Sequence, residues 1–343
     1  MASEGAMHLV IDGFGTFLGV KSERLQVRRA GQVAEEVALC NLDGVLVAGR
    51  GVSLSCEAVQ KCAEAGIPIS FLSWNGVPYA RLEAASLGAT VQTRRAQLLA
   101  YGDARGVVLA LSFASGKLTN QANLLKYMAK YRHQTNRDAY QRARDAALEI
   151  EALAREVRSL TADRVDQLRP ALLSCEGRAA AIYWATVGGL LNTPQPWVGR
   201  EHRSTSDPVN AALNYGYGIL YSQVEHAVIL AGLDPYAGFV HVDRPGKPSL
   251  VLDLIEEFRQ PVVDRTVFGL INRRVSPEVN RDGLLEEHTR KMLADKVLAR
   301  LASPERHEGH RRALHQVIQA QARHVAAYLR GERARYEPFV AKW

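Results

Sequence analysis

The sequence lacks the short motifs by which several large enzyme classes are recognised. It has no Walker A phosphate loop, no Gly-x-Gly-x-x-Gly dinucleotide loop and no Gly-x-Ser-x-Gly nucleophile elbow. It therefore gives no support to ATP hydrolysis, dinucleotide chemistry or serine hydrolysis. Cysteine is also scarce. The four cysteines form no Cys-x-x-Cys pair, so a structural zinc site built on cysteine is not indicated.

Long hydrophobic runs are missing as well. The closest candidate, residues 179–191, is too short for a membrane span and is interrupted by Gly188 and Gly189. The first ten residues have no basic segment followed by a long apolar run, which a signal peptide requires. Together with the few cysteines, these absences predict a reduced, cytoplasmic protein without a membrane segment.

Charge is unevenly distributed along the 343 residues. Residues 1–85 hold 7 of the 43 Lys and Arg and 9 of the 36 Asp and Glu, a net charge of −2, which leaves a net +9 for residues 86–343. A basic second part fits a polyanionic partner such as nucleic acid, although basic proteins without such a partner are common. Any phosphate-binding surface is expected in this second part.

The first 85 residues have the short patterns of β-strands. Predicted strands cover residues 8–11, 16–20, 25–28, 33–37, 69–74 and 77–82. Hairpin turns are predicted at residues 29–32 and at Asn75-Gly76, a pair that accepts the positive φ angles of a type I′ turn. A helix capped by Ser55 and ended by Gly66 interrupts the strands.

From about residue 90 the hydrophobic period becomes helical. Predicted helices cover residues 93–101, 120–131, 138–158, 171–191, 208–230, 249–259, 284–300 and 308–330. The predicted fold class is α+β. A small N-terminal β domain, β-sandwich-like and covering residues 1–85, is followed by a larger all-α domain, residues 86–343.

Glu176 is one of only two charged residues between positions 171 and 199, the other being Arg178. A carboxylate in so apolar a segment is expected to be partly buried, which is costly unless it is paired, protonated or metal-bound. Two interpretations are open. Glu176 is either a residue near the helix start that faces the dipole and bridges to Arg178, or a functional carboxylate.

The segment SLVLDLIEEFR, residues 249–259, places Asp253 and Glu256 three positions apart on the polar side of an amphipathic helix. Side chains at this spacing can converge on one ligand, and carboxylate oxygens suit hard divalent cations. The other interpretation is a solvated polar face, which is common on amphipathic helices.

Of the ten histidines, only His241 has informative neighbours. It follows an apolar stretch and precedes a loop with Pro and Gly that leads to the acidic helix, where a neutral imidazole can ligate a metal. A structural role is the alternative. His307 and His310 are predicted to lie in a charged loop, and with His315 they have no His-Glu-x-x-His spacing.

Arginine and tyrosine occur together around the predicted helix at residues 208–230, a combination that suits phosphate and base contacts. Another arginine stands beside the informative histidine. The candidates for DNA contacts are Arg200, Arg203, Arg244, Tyr215 and Tyr217. Core packing is the alternative for the two tyrosines, and solvated charge is the alternative for the arginines.

Six blocks of sequence follow one another in a specific order. They are VLVAGRGVSLS at 45–55, IPISFLSWNGVPYARL at 67–82, GKLTNQANLL at 116–125, CEGRAAAIYW at 175–184, SDPVNAALNYGYGILY at 206–221, and GFVH at 238–241 leading into SLVLDLIEEFR at 249–259. In this order and spacing the chain resembles the CRISPR-associated spacer-acquisition integrase family. The resemblance runs from about residue 8 to the Tyr336–Phe339 segment.

The resemblance implies a β domain used in dimerisation and a helical domain that is catalytic and binds DNA. It also implies Mg²⁺ or Mn²⁺ held by Glu176, His241 and Glu256, with Asp253 alongside. Glu256 stands where other members often carry Asp, which keeps the charge and lengthens the reach of the side chain.

The implied activity is metal-dependent endonuclease and integrase chemistry on DNA. A 3′-hydroxyl of short foreign double-stranded DNA, the spacer, attacks a phosphodiester of the CRISPR repeat array. The implied partners are spacer DNA, repeat DNA, a second copy of the chain, and a small CRISPR adaptation protein in a heteromeric complex. A non-catalytic DNA-binding scaffold and a DNA-repair nuclease are the alternatives. The scaffold would fit a chain that had lost a ligand, and the nuclease does not explain the block order.

Overall fold

The computed structural model describes residues 7–84, 90–130, 132–193, 196–201 and 207–343. These residues form two compact units, each assembled from separate stretches of chain. The first unit comprises the described residues of Met1–Leu87, His202–Ser222 and Pro277–Ala302, and the second comprises those of Gly88–Glu201, Gln223–Ser276 and Ser303–Trp343. The assignment of dimerisation to residues 1–85 and of catalysis and DNA binding to residues 86–343 stays a prediction.

Two four-stranded sheets form the N-terminal part of the first unit. The strands are β1 Met7–Ile11, β2 Thr16–Lys21, β3 Arg24–Arg29, β4 Gln32–Ala38, β5 Leu42–Val47, β6 Ser53–Leu54, β7 Ile69–Leu72 and β8 Pro78–Leu82. One sheet has the strand order β1-β5-β7-β8 and the other has the order β4-β3-β2-β6. Helix α1, Cys56–Glu64, lies between β6 and β7 in the chain and begins at the predicted cap, where Ser55 Oγ accepts a hydrogen bond from the Ala58 N–H at 3.1 Å.

Both sheets and α1 contribute side chains to one hydrophobic core, which gives the sandwich-like arrangement. Its buried members include Leu9, Ile11, Val45 and Ile69 from the first sheet, Leu18, Leu25 and Val27 from the second, and Ala58 and Cys62 from α1. A sheet buries one face against another layer because its apolar side chains alternate with polar ones along each strand.

The two predicted hairpin turns are present, but the turn type predicted for Asn75-Gly76 is not the one observed. Ala30 and Gly31, between β3 and β4, have φ values of +48° and +79°, both positive as a type I′ turn requires. In the β7–β8 turn Gly76 has φ +80°, whereas Asn75 is not among the residues with positive φ. The predicted type I′ geometry for Asn75-Gly76 is therefore wrong.

The remaining described chain is mainly helical. The helices are α2 Thr90–Ala100, α3 Ala104–Ala129, α4 Arg132–Thr135, α5 Arg137–Ser159, α6 Val165–Gly188, α7 Pro208–Leu230, α8 Ser249–Ile255, α9 Arg265–Asn272, α10 Glu287–Ala302 and α11 Leu314–Leu329. In the second unit α3 packs against both α5 and α6. The predicted α+β class, with a β-rich part followed by a mostly helical part, is confirmed.

Two of the predicted helices are partly replaced by other secondary structure. A hairpin of β9, Pro304–His307, and β10, His310–Ala313, occupies the start of the predicted helix 308–330, so the second part is not entirely helical. Glu308 and Gly309 have φ values of +48° and +82°, which make a tight turn and exclude a helix there. The predicted helix 249–259 ends at Ile255, and a π-helical turn at Arg259–Asp264 leads into α9.

In the described part of the chain, no single helix is both long and apolar enough to cross a membrane. Only α2 and α3 taken together have sufficient length and apolar composition, and the two are bent by 87° relative to each other. All four cysteines are free thiols.

Candidate metal centre

Glu176 lies near the middle of α6. The helix begins at Val165, before Pro170, so Glu176 is not close to the helix start. Arg178 forms its ion pair with Glu156 on α5, at 2.6 Å, and not with Glu176. The interpretation of Glu176 as a residue that faces the helix dipole and bridges to Arg178 is therefore wrong.

Lys117 on α3 joins the two predicted acidic ligands. Its Nζ donates a hydrogen bond to Glu176 Oε1 at 3.0 Å and lies 3.1 Å from Glu256 Oε2. The two carboxylate oxygens are therefore no farther apart than the sum of these distances. The exposed fraction is 18% for the Lys117 side chain, 12% for Glu176 and 6% for Glu256. Because water is largely kept from these three charges, their attraction is weakly screened.

Glu256 is held as an anion in an unfavourable place. It directly follows α8, so its carboxylate is near the negative end of the helix dipole. Burial would also raise its pKa, but the positive charges of Arg259 and Lys117 outweigh burial and lower the pKa of Glu256 to about 2. Burial would lower the pKa of Lys117, but the negative charges of Glu176 and Glu256 outweigh burial and raise this pKa. The pair Lys117–Glu256 is therefore ionised at neutral pH.

Asp253 is fully buried and makes all its contacts within the protein. Its Oδ2 accepts hydrogen bonds from the backbone N–H groups of Phe239, at 2.6 Å, and Val240, at 3.0 Å. Its Oδ1 accepts from the His241 backbone N–H at 3.0 Å and lies 2.7 Å from His241 Nδ1. An ionised carboxylate only accepts, so Nδ1 carries the proton and Nε2 carries the lone pair. This geometry favours a positioning role for Asp253.

The loop that carries His241 is fixed on two sides. At Gly238 an added Cβ would lie 2.8 Å from Asp253 Oδ2, so the loop approaches α8 at a distance that only glycine allows. On the other side Arg169 of α6 donates a hydrogen bond from Nε to the Val240 carbonyl at 3.1 Å. The helix with Glu176 and the loop with His241 are therefore tied together.

Glu257 is buried but is bound to the C-terminal segment instead of the acidic site. Its carboxylate accepts hydrogen bonds from Tyr336 Oη at 2.5 Å, the Phe339 N–H at 2.8 Å and Gln321 Nε2 at 2.9 Å. Burial raises the pKa of Glu257 to about 7 despite these hydrogen bonds. Since Asp253, Glu256 and Glu257 are all buried, the alternative of a solvated polar face is wrong.

The predicted site residues are gathered but are not in ligand contact. Lys117 holds Glu176 and Glu256 together, and Asp253, three residues before Glu256, holds the His241 ring. Within the described residues, however, the ligand atoms of Glu176, His241 and Glu256 do not all lie within 4.8 Å of one another. Their role as joint metal ligands stays a prediction.

The donor set nevertheless suits a hard divalent cation. Glu256 Oε2 is buried and accepts no hydrogen bond from the described residues, and Lys117 approaches it as an ion pair. The ammonium group occupies the position between two carboxylates that a cation would take. Two carboxylates and a neutral imidazole are donors that Mg²⁺ and Mn²⁺ accept.

The five predicted DNA contacts have different environments. Arg244 is exposed, Arg200 is partly buried, and Arg203 lies outside the described residues. Tyr215 is fully buried and Tyr217 is 8% exposed. Burial favours the packing interpretation for both tyrosine rings and leaves Arg244 as the most accessible candidate that the structure describes.

Lys117 is the site residue that the sequence analysis missed. It is the only charged residue between Arg105 and Lys126, a stretch of 20 mostly apolar and small residues. A similar signal, a scarcity of charge in an apolar helix, identified Glu176. Applied to α3, it would have predicted Lys117 as a buried partner for a carboxylate.

Known proteins resemble this chain over nearly its whole length. Residues 9–298 match the family described as CRISPR associated protein Cas1. A CRISPR-associated endonuclease Cas1 of Archaeoglobus fulgidus is 40% identical over 348 residues, covering 98% of this chain and 100% of the relative. A solved casposase bound to an integration product has a TM-score of 0.81 at 21% identity, over 96% of this chain and 92% of the other. A chain of a Cas6-RT-Cas1–Cas2 complex has a TM-score of 0.76 at 19% identity, over 98% of this chain and 36% of that one.

The extent of the sequence matches decides the family. The family match covers most of the chain, and the Archaeoglobus relative covers it almost from end to end. The two solved structures, at 21% and 19% identity, support the fold alone. The family that the order of sequence blocks predicted is confirmed. This chain belongs to the CRISPR associated protein Cas1 family.

Proposed function

We propose that this chain is a metal-dependent DNA endonuclease and integrase of CRISPR adaptation, which inserts short foreign double-stranded DNA into the repeat array. The observation that carries the proposal is the meeting of two carboxylates, the partly buried Glu176 and the buried Glu256, at one cationic group, Lys117 Nζ, in a chain of the Cas1 family. The Archaeoglobus relative is named an endonuclease, and the casposase structure contains an integration product, so both halves of the proposal have support.

Glu176, Glu256 and the Nε2 atom of His241 are the groups that would hold the metal, for which we propose Mg²⁺ or Mn²⁺. When bound, such a cation neutralises phosphate oxygens and stabilises the leaving oxygen. The two carboxylates supply the negative charge that retains it, and their low exposure keeps that charge effective. Asp253 holds the His241 ring so that Nε2 presents its lone pair.

The reaction exchanges one phosphodiester bond for another. The 3′-hydroxyl oxygen of the incoming DNA loses its proton and forms a bond to phosphorus. The bond from phosphorus to the 3′-oxygen of the target strand breaks, and this leaving oxygen takes up a proton to become a new 3′-hydroxyl. Water in place of the hydroxyl gives cleavage. His241 serves this exchange either as a ligand or by accepting the proton of the attacking hydroxyl at Nε2, and both roles need the lone pair that Asp253 secures.

The proposed partners are DNA, a second copy of the chain and a small adaptation protein. The net +9 of residues 86–343 and exposed arginines such as Arg244 provide for phosphate contacts, which make affinity dependent on salt and not on the captured sequence. The related chain that is solved together with Cas2 supports a heteromeric complex with a small partner. Residues 1–85 are proposed to form the homodimer.

The test measures cleavage and strand transfer into a repeat-bearing plasmid with Mg²⁺ or Mn²⁺. Glu176→Gln keeps the shape of the side chain but removes one of two negative charges, so both rates are expected to fall by at least ~100-fold. Glu149→Gln changes an exposed glutamate on neighbouring α5 and should leave both rates unchanged. Full activity of Glu176→Gln would refute the assignment.

The same assay separates the two alternative functions. A DNA-binding scaffold would bind the duplexes without cleaving or joining them in the wild-type protein, whatever metal is added. A repair nuclease would cleave with metal but would not transfer the captured duplex into the repeat.

A further inference from the structure

The β9–β10 hairpin and α11 bring two histidines and a glutamate together, apart from the site described above. His307 ends β9, Glu308 stands in the turn, and His324 lies on α11. One ligand atom from each of the three lies within 4.8 Å of those of the other two. The two rings are nearly parallel, with centroids 5.7 Å apart and an interplanar angle of 17°. The prediction that His307 lies in a charged loop is wrong, since it is a buried strand residue.

The Gln321 side chain determines which nitrogen of each ring carries the proton. Gln321 Nε2 donates to Glu257 Oε2 at 2.9 Å and to the Glu337 carbonyl at 3.0 Å, so the amide nitrogen faces acceptors. Gln321 Oε1 then faces His307 Nε2 at 3.2 Å and His324 Nδ1 at 3.1 Å. An amide oxygen only accepts, so both of these ring nitrogens are protonated donors. The lone pairs lie on His307 Nδ1 and His324 Nε2.

These two lone pairs are poorly satisfied within the protein. His307 is 8% exposed, and its Nδ1 is buried without a hydrogen-bond partner in the described chain. Nitrogen atoms buried in this way are uncommon in native proteins and point to a missing water or ion. His324 Nε2 lies 3.6 Å from Glu308 Oε2, which is longer than a hydrogen bond.

We propose that His307, His324 and Glu308 form a second divalent-metal site, which takes Zn²⁺ or a similar transition metal. Two neutral imidazoles and one carboxylate are a common zinc donor set, whereas Mg²⁺ and Mn²⁺ prefer oxygen. Gln321 bonds to the non-ligating nitrogen of each histidine, as the outer partners of metal-bound histidines usually do. This site does not depend on the proposed function.

Arg333 is expected to lower the affinity of the proposed site for a cation. Its Nη2 lies 2.6 Å from Glu308 Oε1, which leaves Oε2 directed at His324. The guanidinium therefore orients the carboxylate but also repels a cation. We expect Arg333→Gln to bind Zn²⁺ more tightly than wild type, a direction that a purely structural His–Glu–Arg cluster would not produce.

Bound metal is expected to stabilise the fold. It would connect the hairpin to α11, whose Gln321 also contacts Glu257 and Tyr336. A ligand that binds only the folded chain raises the melting temperature by an amount that grows with the ratio of its free concentration to its dissociation constant. The site thus has a readout that does not involve DNA chemistry.

The experiment uses the full chain with Glu176→Gln and Glu256→Gln as the parent, so that the first acidic site binds little metal. After chelation and dialysis, Zn²⁺ is titrated by calorimetry and Co²⁺ by its visible absorption. The parent is expected to bind one ion per chain, with a rise in melting temperature. His324→Gln should weaken binding by at least about tenfold, because one of three ligands is lost. His310→Gln, an exposed histidine on β10, is the matched control and should bind like the parent.

Glu308→Gln keeps the experiment decisive if His324→Gln fails to fold, because Glu308 is exposed in a turn. It should also weaken binding by at least about tenfold. No Zn²⁺ binding by the parent, or equal affinity in the parent and in the folded ligand variants, would overturn the proposal.

Discussion

Asp253 acts on its surroundings through four accepted contacts and has no exposed surface. Three backbone N–H groups, from Phe239, Val240 and His241, fix its carboxylate, and the carboxylate in turn fixes the imidazole of His241. Backbone N–H groups only donate, so they match a carboxylate group, whose oxygens accept. At the scale of single residues, the orientation of His241 Nε2 is therefore fixed by hydrogen bonds within the protein.

The substitution Asp253→Asn tests whether Asp253 orients the His241 ring. In either orientation the amide places an NH₂ group against backbone donors and removes the charge that faces His241 Nδ1, so the ring loses its fixed tautomer. We expect the initial rate of metal-dependent strand transfer to fall by about 10–100-fold. Asp243→Asn, exposed in the following loop, is the control and should keep the wild-type rate. An unchanged rate in Asp253→Asn would mean that His241 does not need this partner.

The sequence indicated the acidic residues of the site more readily than their partner. Glu176 stood out as the single acidic residue of an apolar segment, and Asp253 and Glu256 stood out by their spacing. The contact between Lys117 and Glu176 joins residues 59 positions apart, and no local period reports such a contact. Charge compensation of a buried acid can be predicted from one sequence, but the residue that provides it follows only from helix packing.

At the scale of secondary structure, α8 shows that the polar side of an amphipathic pattern can be buried by packing. The segment from Ser249 to Arg259 has the apolar and polar sides of a surface helix, yet Asp253 on α8 and Glu256 and Glu257 directly after it are all buried. Each of them receives partners from other parts of the chain: the loop with His241, helix α3 and the C-terminal segment. Periodicity correctly predicts that the helix exists, but it does not report which elements cover the polar side.

The close approach of the loop to α8 gives a stability prediction. In Gly238→Ala the added methyl would lie 2.7 Å from the Ser249 carbonyl carbon and 2.8 Å from Asp253 Oδ2, so loop and helix must separate. We expect the free energy of unfolding to fall by ~1–3 kcal/mol, with lower strand transfer, because His241 and Asp253 lie on the two sides of this contact.

Gly269→Ala in α9 is the matched control for this substitution. Its methyl would meet only the end of the Arg273 side chain, at 3.4 Å, and helix propensity favours alanine. Denaturant unfolding should show equal or slightly higher stability for this variant. Equal stability of both variants would contradict a tight contact at Gly238.

At the scale of the whole molecule, the compact units are not continuous in sequence. The first unit takes in described residues of His202–Ser222 and Pro277–Ala302 besides the N-terminal sandwich. Composition and period predicted a β-rich part and a helical part, because these are local properties. The return of later segments to the first unit depends on contacts between residues far apart in the chain, which local patterns do not encode.

The sandwich has an apolar edge that supports the proposed homodimer. Strand β8 is at the edge of its sheet, and Val77, Tyr79 and Leu82 in and beside it are 54%, 65% and 39% exposed. An apolar edge strand needs a cover to avoid nonspecific pairing. Tyr79→Lys should therefore shift the protein toward monomer in sedimentation experiments. Tyr236→Lys alters a tyrosine that is 53% exposed in the second unit, and it should leave the dimer intact. A dimer that persists in Tyr79→Lys would place the interface elsewhere.

The position of Lys117 between Glu176 and Glu256 has a consequence for how the proposed metal is acquired. A divalent ion that binds here must replace the Lys117 ammonium group between the two carboxylates. Its measured affinity is therefore the difference between the attraction of the carboxylates for the ion and their attraction for Lys117. The lysine also allows the chain to fold before any metal arrives, because the two acids never face each other uncompensated. Folding and metal loading are therefore separate events. Lys117 stabilises the folded chain without metal, and the metal must displace Lys117 when it binds.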